Sequence, residues 1–385
     1  MNYTLDHIDI REAVSKLCHN FDGKYWQGCD KNNSYPQEFV NELTKAGYLS
    51  SLIPEEYGGL GLSLSVGVAI LEEIHKSGCN AAACHAQMYT MGTLLRYGSE
   101  SQKKEYLPKI ANGSLRLQAF GVTEPSSGSD TTSLKCNAIL KDDVYYINGQ
   151  KIWTSRAEYS DLLLLLARTT PKDKTEKRTD GLSVFIVDLN KVPKETITIK
   201  PIRTMMNHAT TEIFFDNMPV PSKNLIGEED KGFKYILSGM NAERILIAAE
   251  CIGDAKWFIN KATNYSSERK IFERPIGKNQ GIQFPIARAY SQMRAAELML
   301  NEATKLFDDG HNPGEEANLA KLLSADAQWS AAEACIQTYG GFGFAEEYDI
   351  ERKYREARLY QVAPISTNMI LSYIAEHVLK MPRSY

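Results

Sequence analysis

From residue 5 to about 112, apolar residues recur every three or four positions, as at Phe39 and Leu43 or at Ile70, Leu71 and Ile74. That spacing predicts several amphipathic helices, interrupted by a turn-rich stretch at 54–61 (Pro-Glu-Glu-Tyr-Gly-Gly-Leu-Gly). From 117 to about 220 the pattern shortens to β-branched and aromatic runs. Residues 144–147 and 151–153 flank Asn148-Gly149, which predicts a two-stranded hairpin turning at that dipeptide. Further runs at 162–166, 182–187, 197–202 and 212–215 have no helical pattern among them, so an antiparallel sheet or barrel is expected rather than βαβ units. Beyond Gly232, long apolar stripes at 233–264, 283–307 and 318–339 predict a helix bundle. The expected fold is α+β and mostly α: an N-terminal helical domain (1–116), a middle β domain (117–226) and a C-terminal four-helix bundle (227–385).

Composition narrows the partners. A net charge of −4 with no long basic run gives no general attraction to nucleic acid. No stretch reaches membrane-spanning length, and the beginning of the chain carries neither a signal-peptide nor a transit-peptide pattern, so a cytoplasmic protein is expected. The seven cysteines contain no C-x-x-C pair. Cys79 and Cys84, although beside His85, read as small buried residues, and no metal is expected. The glycine clusters at 58–61 and 340–343 have the wrong spacing for a Rossmann phosphate loop.

Chemistry concentrates in a few segments. Residues 119–130 read Ala-Phe-Gly-Val-Thr-Glu-Pro-Ser-Ser-Gly-Ser-Asp, 151–155 read Lys-Ile-Trp-Thr-Ser, and 337–343 read Gln-Thr-Tyr-Gly-Gly-Phe-Gly, leading on to 351–358, Glu-Arg-Lys-Tyr-Arg-Glu-Ala-Arg. With 54–61 and the Glu-Arg-Lys-Ile-Phe at 268–272, these motifs in this order resemble the acyl-CoA dehydrogenase family over nearly the whole chain. A flavin ring needs an aromatic wall and donors at its polar edge. Trp153 can supply the wall, although by itself it would read as a sheet-core aromatic.

The resemblance implies FAD, held by Phe120, Val122, Thr123, Trp153, Ser155 and Ser366. It also implies that Arg269, Phe272, Gln337 and Gly341 reach the diphosphate and adenine of FAD on a neighbouring subunit, and hence a homo-oligomer, most often a tetramer. Glu273 departs from the glycine usual in the family. Ser129, Arg244 and Pro364 fall at substrate-binding positions.

The implied reaction is α,β-dehydrogenation of an acyl-CoA to the trans-2-enoyl-CoA, with electrons passed to an electron-transfer flavoprotein. An acyl-CoA oxidase or flavin monooxygenase on the same scaffold is the alternative, or an acyl-CoA-binding homologue that has lost catalysis. Counting from Gln337 without gaps puts Pro364 where many members carry the catalytic Glu. Members with the isovaleryl-type arrangement place the base on the first bundle helix, which here gives Glu243. Ile236, Met240, Glu243 and Ile247 share one helix face, and a carboxyl on an apolar stripe has the raised pKa that a base needs. A buried ion pair would account for Glu243 as well, and Glu250 is the rival carboxylate. Pro364 brings no N–H to the thioester oxygen; Tyr360, Ser366 and His208 are the candidate stand-ins. His208 otherwise reads as a packed or surface histidine, and 351–358 as a salt-bridged helix surface.

Overall fold

The computed structural model describes residues 7–384; Leu5 and Asp6 of the expected first helix, and Tyr385, lie outside the described residues. Helices α1 (Ile8–Cys18), α2 (Gly23–Lys31), α3 (Gln37–Lys45), α4 (Leu64–Lys76), α5 (Ala86–Tyr97) and α6 (Glu100–Ala111) come first. Strands β1 (Leu117–Gly121), β2 (Asn137–Lys141), β3 (Val144–Ser155), β4 (Leu162–Arg168), β5 (Leu182–Asp188), β6 (Ile197–Pro201), β7 (Thr210–Pro221) and β8 (Leu225–Ile226) follow. The chain closes with α7 (Gly232–Glu268), the short hairpin β9 (Lys270–Ile271) and β10 (Arg274–Pro275), then α8 (Gln280–Asp308), α9 (Gly314–Tyr339), α10 (Ile350–Ala357) and α11 (Thr367–Tyr373). The order helical, β, helical is the expected one. Contacts gather these elements into two compact units, a helical one (Met1–Ser34, Ser63–Ala81, Asn241–Tyr385) and a sheet-containing one (Tyr35–Leu62, Ala82–Met240).

In the sheet unit the strands run in the order β6-β7-β3-β2-β4-β5-β8, with β1 beside β4. Every residue of β4 and of β5 is buried, which is why both read as unbroken apolar runs. Ala119, Ile147, Leu163, Leu165, Phe185 and Ile213 form the core. The sheet is mixed, because β1 pairs with β4 in parallel. The β2–β3 hairpin intervenes in sequence, so the chain returns along β4 in the direction of β1.

That hairpin does not turn at Asn148-Gly149. It turns at Asp142-Asp143, whose φ values of 46° and 63° give the two left-handed residues of a type I′ turn, and Lys141 pairs directly with Val144. Strand β3 runs straight through Asn148-Gly149, where the register against β7 shifts by a bulge. A Cβ on Gly149 would lie 2.7 Å from Cys136 Cα, so glycine is required there for close approach, not for a turn.

In the helical unit, α4 is buried nearly all round. It approaches α7 so closely that a Cβ on Gly253 would lie 2.8 Å from His75 Cβ. Around that crossing sits a buried ion network. Asp254 receives His75 Nδ1 at 3.0 Å, Gln328 Nε2 at 2.7 Å and the Lys353 ammonium, all from fully or almost fully buried side chains. Arg352 donates to Asp349 at 2.6 Å and to Glu356 at 2.7 Å. Segment 351–358 is therefore not simply a helix surface: Arg352, Lys353 and Glu356, its second, third and sixth residues, are buried. Cys79 and Cys84 are fully buried, as read from the sequence.

Candidate functional site

In the sheet unit, the residues expected to hold the flavin come together through β3. Ile152 N–H donates to Thr123 O at 2.9 Å, and the fully buried Lys151 donates from Nζ to Val122 O and to Glu124 Oε1, each at 2.9 Å. Glu124 in turn accepts the backbone N–H groups of Lys135 and Cys136. The segment 122–124 is thus pinned to the strand carrying Trp153 and Ser155. Lys151 and Glu124 were not singled out in the sequence, although both fall within the segments that carry the resemblance.

Trp153 is the residue inserted where the β3–β7 register shifts between Ile152 and Thr154. It has φ of 61° and is 57% exposed. A bulge re-aims a side chain, and left-handed backbone is strained for a bulky residue. A large aromatic held in that conformation and turned to solvent fits a planar ring stacking on it. Phe120, Val122, Thr123 and Ser155 are each half-buried, while Ser129 is exposed beside Asp130, whose carboxylate accepts from Thr132 and Ser133.

In the helical unit the expected residues form two groups. Arg269, just past α7, lays its guanidinium over the Phe342 ring at 5.3 Å from the centroid, and Tyr265 stacks on Tyr339 at 4.0 Å. These contacts bring Arg269 and Phe272 to the end of α9, where Gln337 and Gly341 lie. Phe272 and Glu273, with φ of 51° and 63°, are the turn of the β9–β10 hairpin, and both side chains are exposed, Phe272 by 93%. Glu273 thus points to solvent at a position whose backbone favours glycine. A Cβ on Gly341 would meet nothing within 4 Å, so packing inside this chain does not demand glycine there. An open glycine, an arginine and a bare aromatic suit a diphosphate and an adenine.

The second group surrounds Glu243. Its side chain is buried, 6% exposed, as are Ile236 and Ile247. The neighbouring Arg244 donates to Asn241 Oδ1 at 3.0 Å, and its Nε is buried without an acceptor. Burial pulls the Arg244 guanidinium below its usual pKa, and the charges of Glu243 and Tyr373 oppose that shift. Tyr373 ends α11, so Arg244 and the segment 364–373 lie near one another within the helical unit. Pro364 and Ser366 are half-buried in that segment, and Ser366 caps α11 by accepting Met369 N–H at 3.4 Å. Lys321, fully buried on α9, donates to Tyr360 O and Ile365 O, each at 2.8 Å, and so fixes the bend carrying Pro364. It lies with Ala317, Ala320, Ser324, Ala325 and Gln328 among the buried residues of α9 and was not singled out in the sequence.

The rival carboxylate, Glu250, is committed elsewhere. It is fully buried and accepts the Tyr360 hydroxyl at 2.6 Å, with His75 Nε2 at 3.6 Å. Tyr360 is accordingly engaged and does not stand in for the missing donor at Pro364.

Comparison with known proteins gives the same helical, β, helical order. The acyl-CoA dehydrogenase N-terminal, middle and C-terminal domain models match residues 4–114, 119–218 and 230–379. An acyl-CoA dehydrogenase of Bacillus subtilis is 33% identical over 94% of this chain and 95% of its own. The solved glutaryl-coenzyme A dehydrogenase–glutaryl-CoA complex superposes with a TM-score of 0.91 at 29% identity, covering 100% of this chain and 98% of that one. A solved chain described under the electron transferring flavoprotein of Acidaminococcus fermentans does so with a TM-score of 0.91 at 28% identity, covering 99% and 100%. Among the described residues no helix is long and apolar enough to cross a membrane, and no group of His, Cys, Asp and Glu is placed to hold a metal ion.

Proposed function

The chain belongs to the acyl-CoA dehydrogenase family, whose cofactor is FAD, and from that premise we propose that it removes the α-proton of an acyl-CoA with Glu243 while hydride leaves the β-carbon, giving the trans-2-enoyl-CoA. The observation that carries this reading is the buried Glu243 carboxyl at the start of the bundle, where Pro364 replaces the base common in the family. On the same helix face, Glu250 is held by Tyr360, and Asp254 by His75, Gln328 and Lys353.

FAD, when bound, accepts the hydride. Trp153 would form one wall for its ring, Thr123 and Ser155 would present polar atoms at its edge, and Phe120 and Val122, at and just past the end of β1, would support that edge. Ser366 offers its hydroxyl hydrogen, because its oxygen already serves as a helix cap. Glu243 works from a buried position on α7, out of bulk water. Arg244 orients the acid or the thioester, and Ser129 meets the CoA portion.

Arg269, Phe272, Gln337 and Gly341 serve the FAD of a second copy. Residues 243 and 268 are 25 positions apart on one continuous helix, which at 1.5 Å per residue separates them by about 37 Å. That separation supports a homo-oligomer, a tetramer in the family's usual form, in which these residues meet the cofactor of another copy. Electrons pass to an electron-transfer flavoprotein, a reading supported by the similarity to the Acidaminococcus chain.

The test is anaerobic titration of the flavin-loaded protein with a panel of acyl-CoA thioesters. Bleaching of the flavin, slow recovery in air and fast recovery with an electron-transfer flavoprotein are expected. Rapid recovery in air alone would turn the assignment to an oxidase.

A further inference from the structure

Immediately after Ser155 the sheet unit buries a cation that its own chain does not satisfy. Arg156 is 3% exposed, has φ of 60°, and donates its backbone N–H to Ala209 O at 2.6 Å, which sets it beside the peptide of His208. Nε and Nη1 of its guanidinium are buried without an acceptor. Two more unsatisfied atoms belong to the same unit: Nδ1 of His208 and Nε2 of the buried Gln118. The other end of Gln118 accepts the Tyr35 hydroxyl at 3.0 Å, and Tyr35 stacks at 4.4 Å on Tyr159, three residues past Arg156.

Electrostatics places the same groups near one another. Burial lifts the Tyr35 phenol to about 12, with the Arg156 charge among those opposing the rise. Burial also pushes the His208 imidazole well below its usual value, helped by Arg156 and His85. His208 is therefore a neutral ring beside a cation. It can offer Nδ1–H, and the Gln118 amide and the guanidinium are donors only at the atoms left over. An unpaired buried guanidinium costs several kcal/mol, and the group that best offsets such a cost is a carboxylate.

We propose that Arg156, His208 and Gln118 form a binding site for a carboxylate, carried on the acyl chain of the substrate at the end away from the thioester. This rests on the function proposed above and narrows its substrate class to acyl groups bearing a second acidic function. A free carboxylate ion is the other source of the same chemistry.

Two measurements on the flavin-loaded protein separate the possibilities. The first compares kcat/KM and binding for carboxylate-ended thioesters (succinyl- and glutaryl-CoA) with neutral ones of equal length (butyryl- and pentanoyl-CoA). The native chain prefers the anionic member by at least about 30-fold, the factor given by roughly 2 kcal/mol for a charge-assisted hydrogen bond. Arg156→Gln reduces that preference to within about threefold, chiefly by lowering kcat/KM for the anionic thioesters, and Arg156→Lys keeps part of it. The second follows the thermal midpoint with added acetate. A rise in the native chain that is absent in Arg156→Gln, with no preference among thioesters, supports the same site filled by a free ion.

Equal handling of both thioester classes by native and Arg156→Gln chains, with no acetate effect, overturns the proposal; His208→Asn guards against a misfolded arginine variant. If no thioester of either kind binds or bleaches the flavin, the proposed function fails, whereas the acetate arm still reads the site.

Discussion

Tyr360 donates its hydroxyl to Glu250 Oε2 at 2.6 Å inside the helical unit, where both side chains are buried. The pair engages one acidic residue of α7, Glu250; the proposed base, Glu243, lies seven positions earlier on the same helix. Burial drives the Tyr360 phenol far above its usual pKa, and the Glu250 charge adds to that, so the tyrosine stays a donor over the whole working range.

Tyr360→Phe removes a donor to a buried acceptor. A loss of about 1.5–3 kcal/mol in unfolding free energy is expected, read from the urea midpoint. Flavin reduction by substrate should stay within about threefold of the native rate. A large kinetic defect with unchanged stability would give Tyr360 a role in the reaction instead.

Asp254 sets an acid limit on stability. Burial alone would raise its carboxyl, but Lys353 and His75 outweigh burial and bring it down to about 2 from an ordinary 3.8. A folded-state value below the unfolded one means the contribution, about 2 kcal/mol, is complete above the unfolded pKa and disappears as pH falls from about 4 toward 2. Lys353→Met leaves the carboxylate buried with less compensation. The expected cost is about 3–5 kcal/mol near neutral pH, with a weaker dependence on acid between pH 4 and 2, measured by denaturant midpoints across that window.

Trp153→Ala removes the proposed wall of the flavin ring. Loss of a stacked aromatic of this size should weaken FAD retention by about 30- to 100-fold, equivalent to roughly 2–3 kcal/mol. The measurement is flavin stoichiometry after dilution and gel filtration. Because Trp153 is largely exposed and held at a left-handed bulge, the folded chain itself should lose little stability. Full flavin retention would remove Trp153 from the site.

Much of the layout was legible because its signals are local. Periodicity located the helical and β regions, and residue type and order in the segments around Trp153 and Gln337 carried the family resemblance. The failures share one cause. Asn148-Gly149 looks like a hairpin, yet its glycine answers to Cys136, just before the adjacent strand β2, while the real turn uses two aspartates. Arg352 and Lys353 look like solvated charges until Asp349, Glu356 and Asp254 surround them. Arg156 and Lys321 are similar: a buried cation is visible only when the third dimension shows what does or does not meet it.

The most direct measurement is the rate of anaerobic flavin reduction by a good acyl-CoA substrate in Glu243→Gln, with FAD content matched to the native protein. Removing the base should slow reduction by about a hundred- to ten-thousand-fold, since that is what a positioned general base contributes. Glu243→Asp should recover part of the rate. Reduction of the Gln variant at the native rate would contradict Glu243 as the proton acceptor.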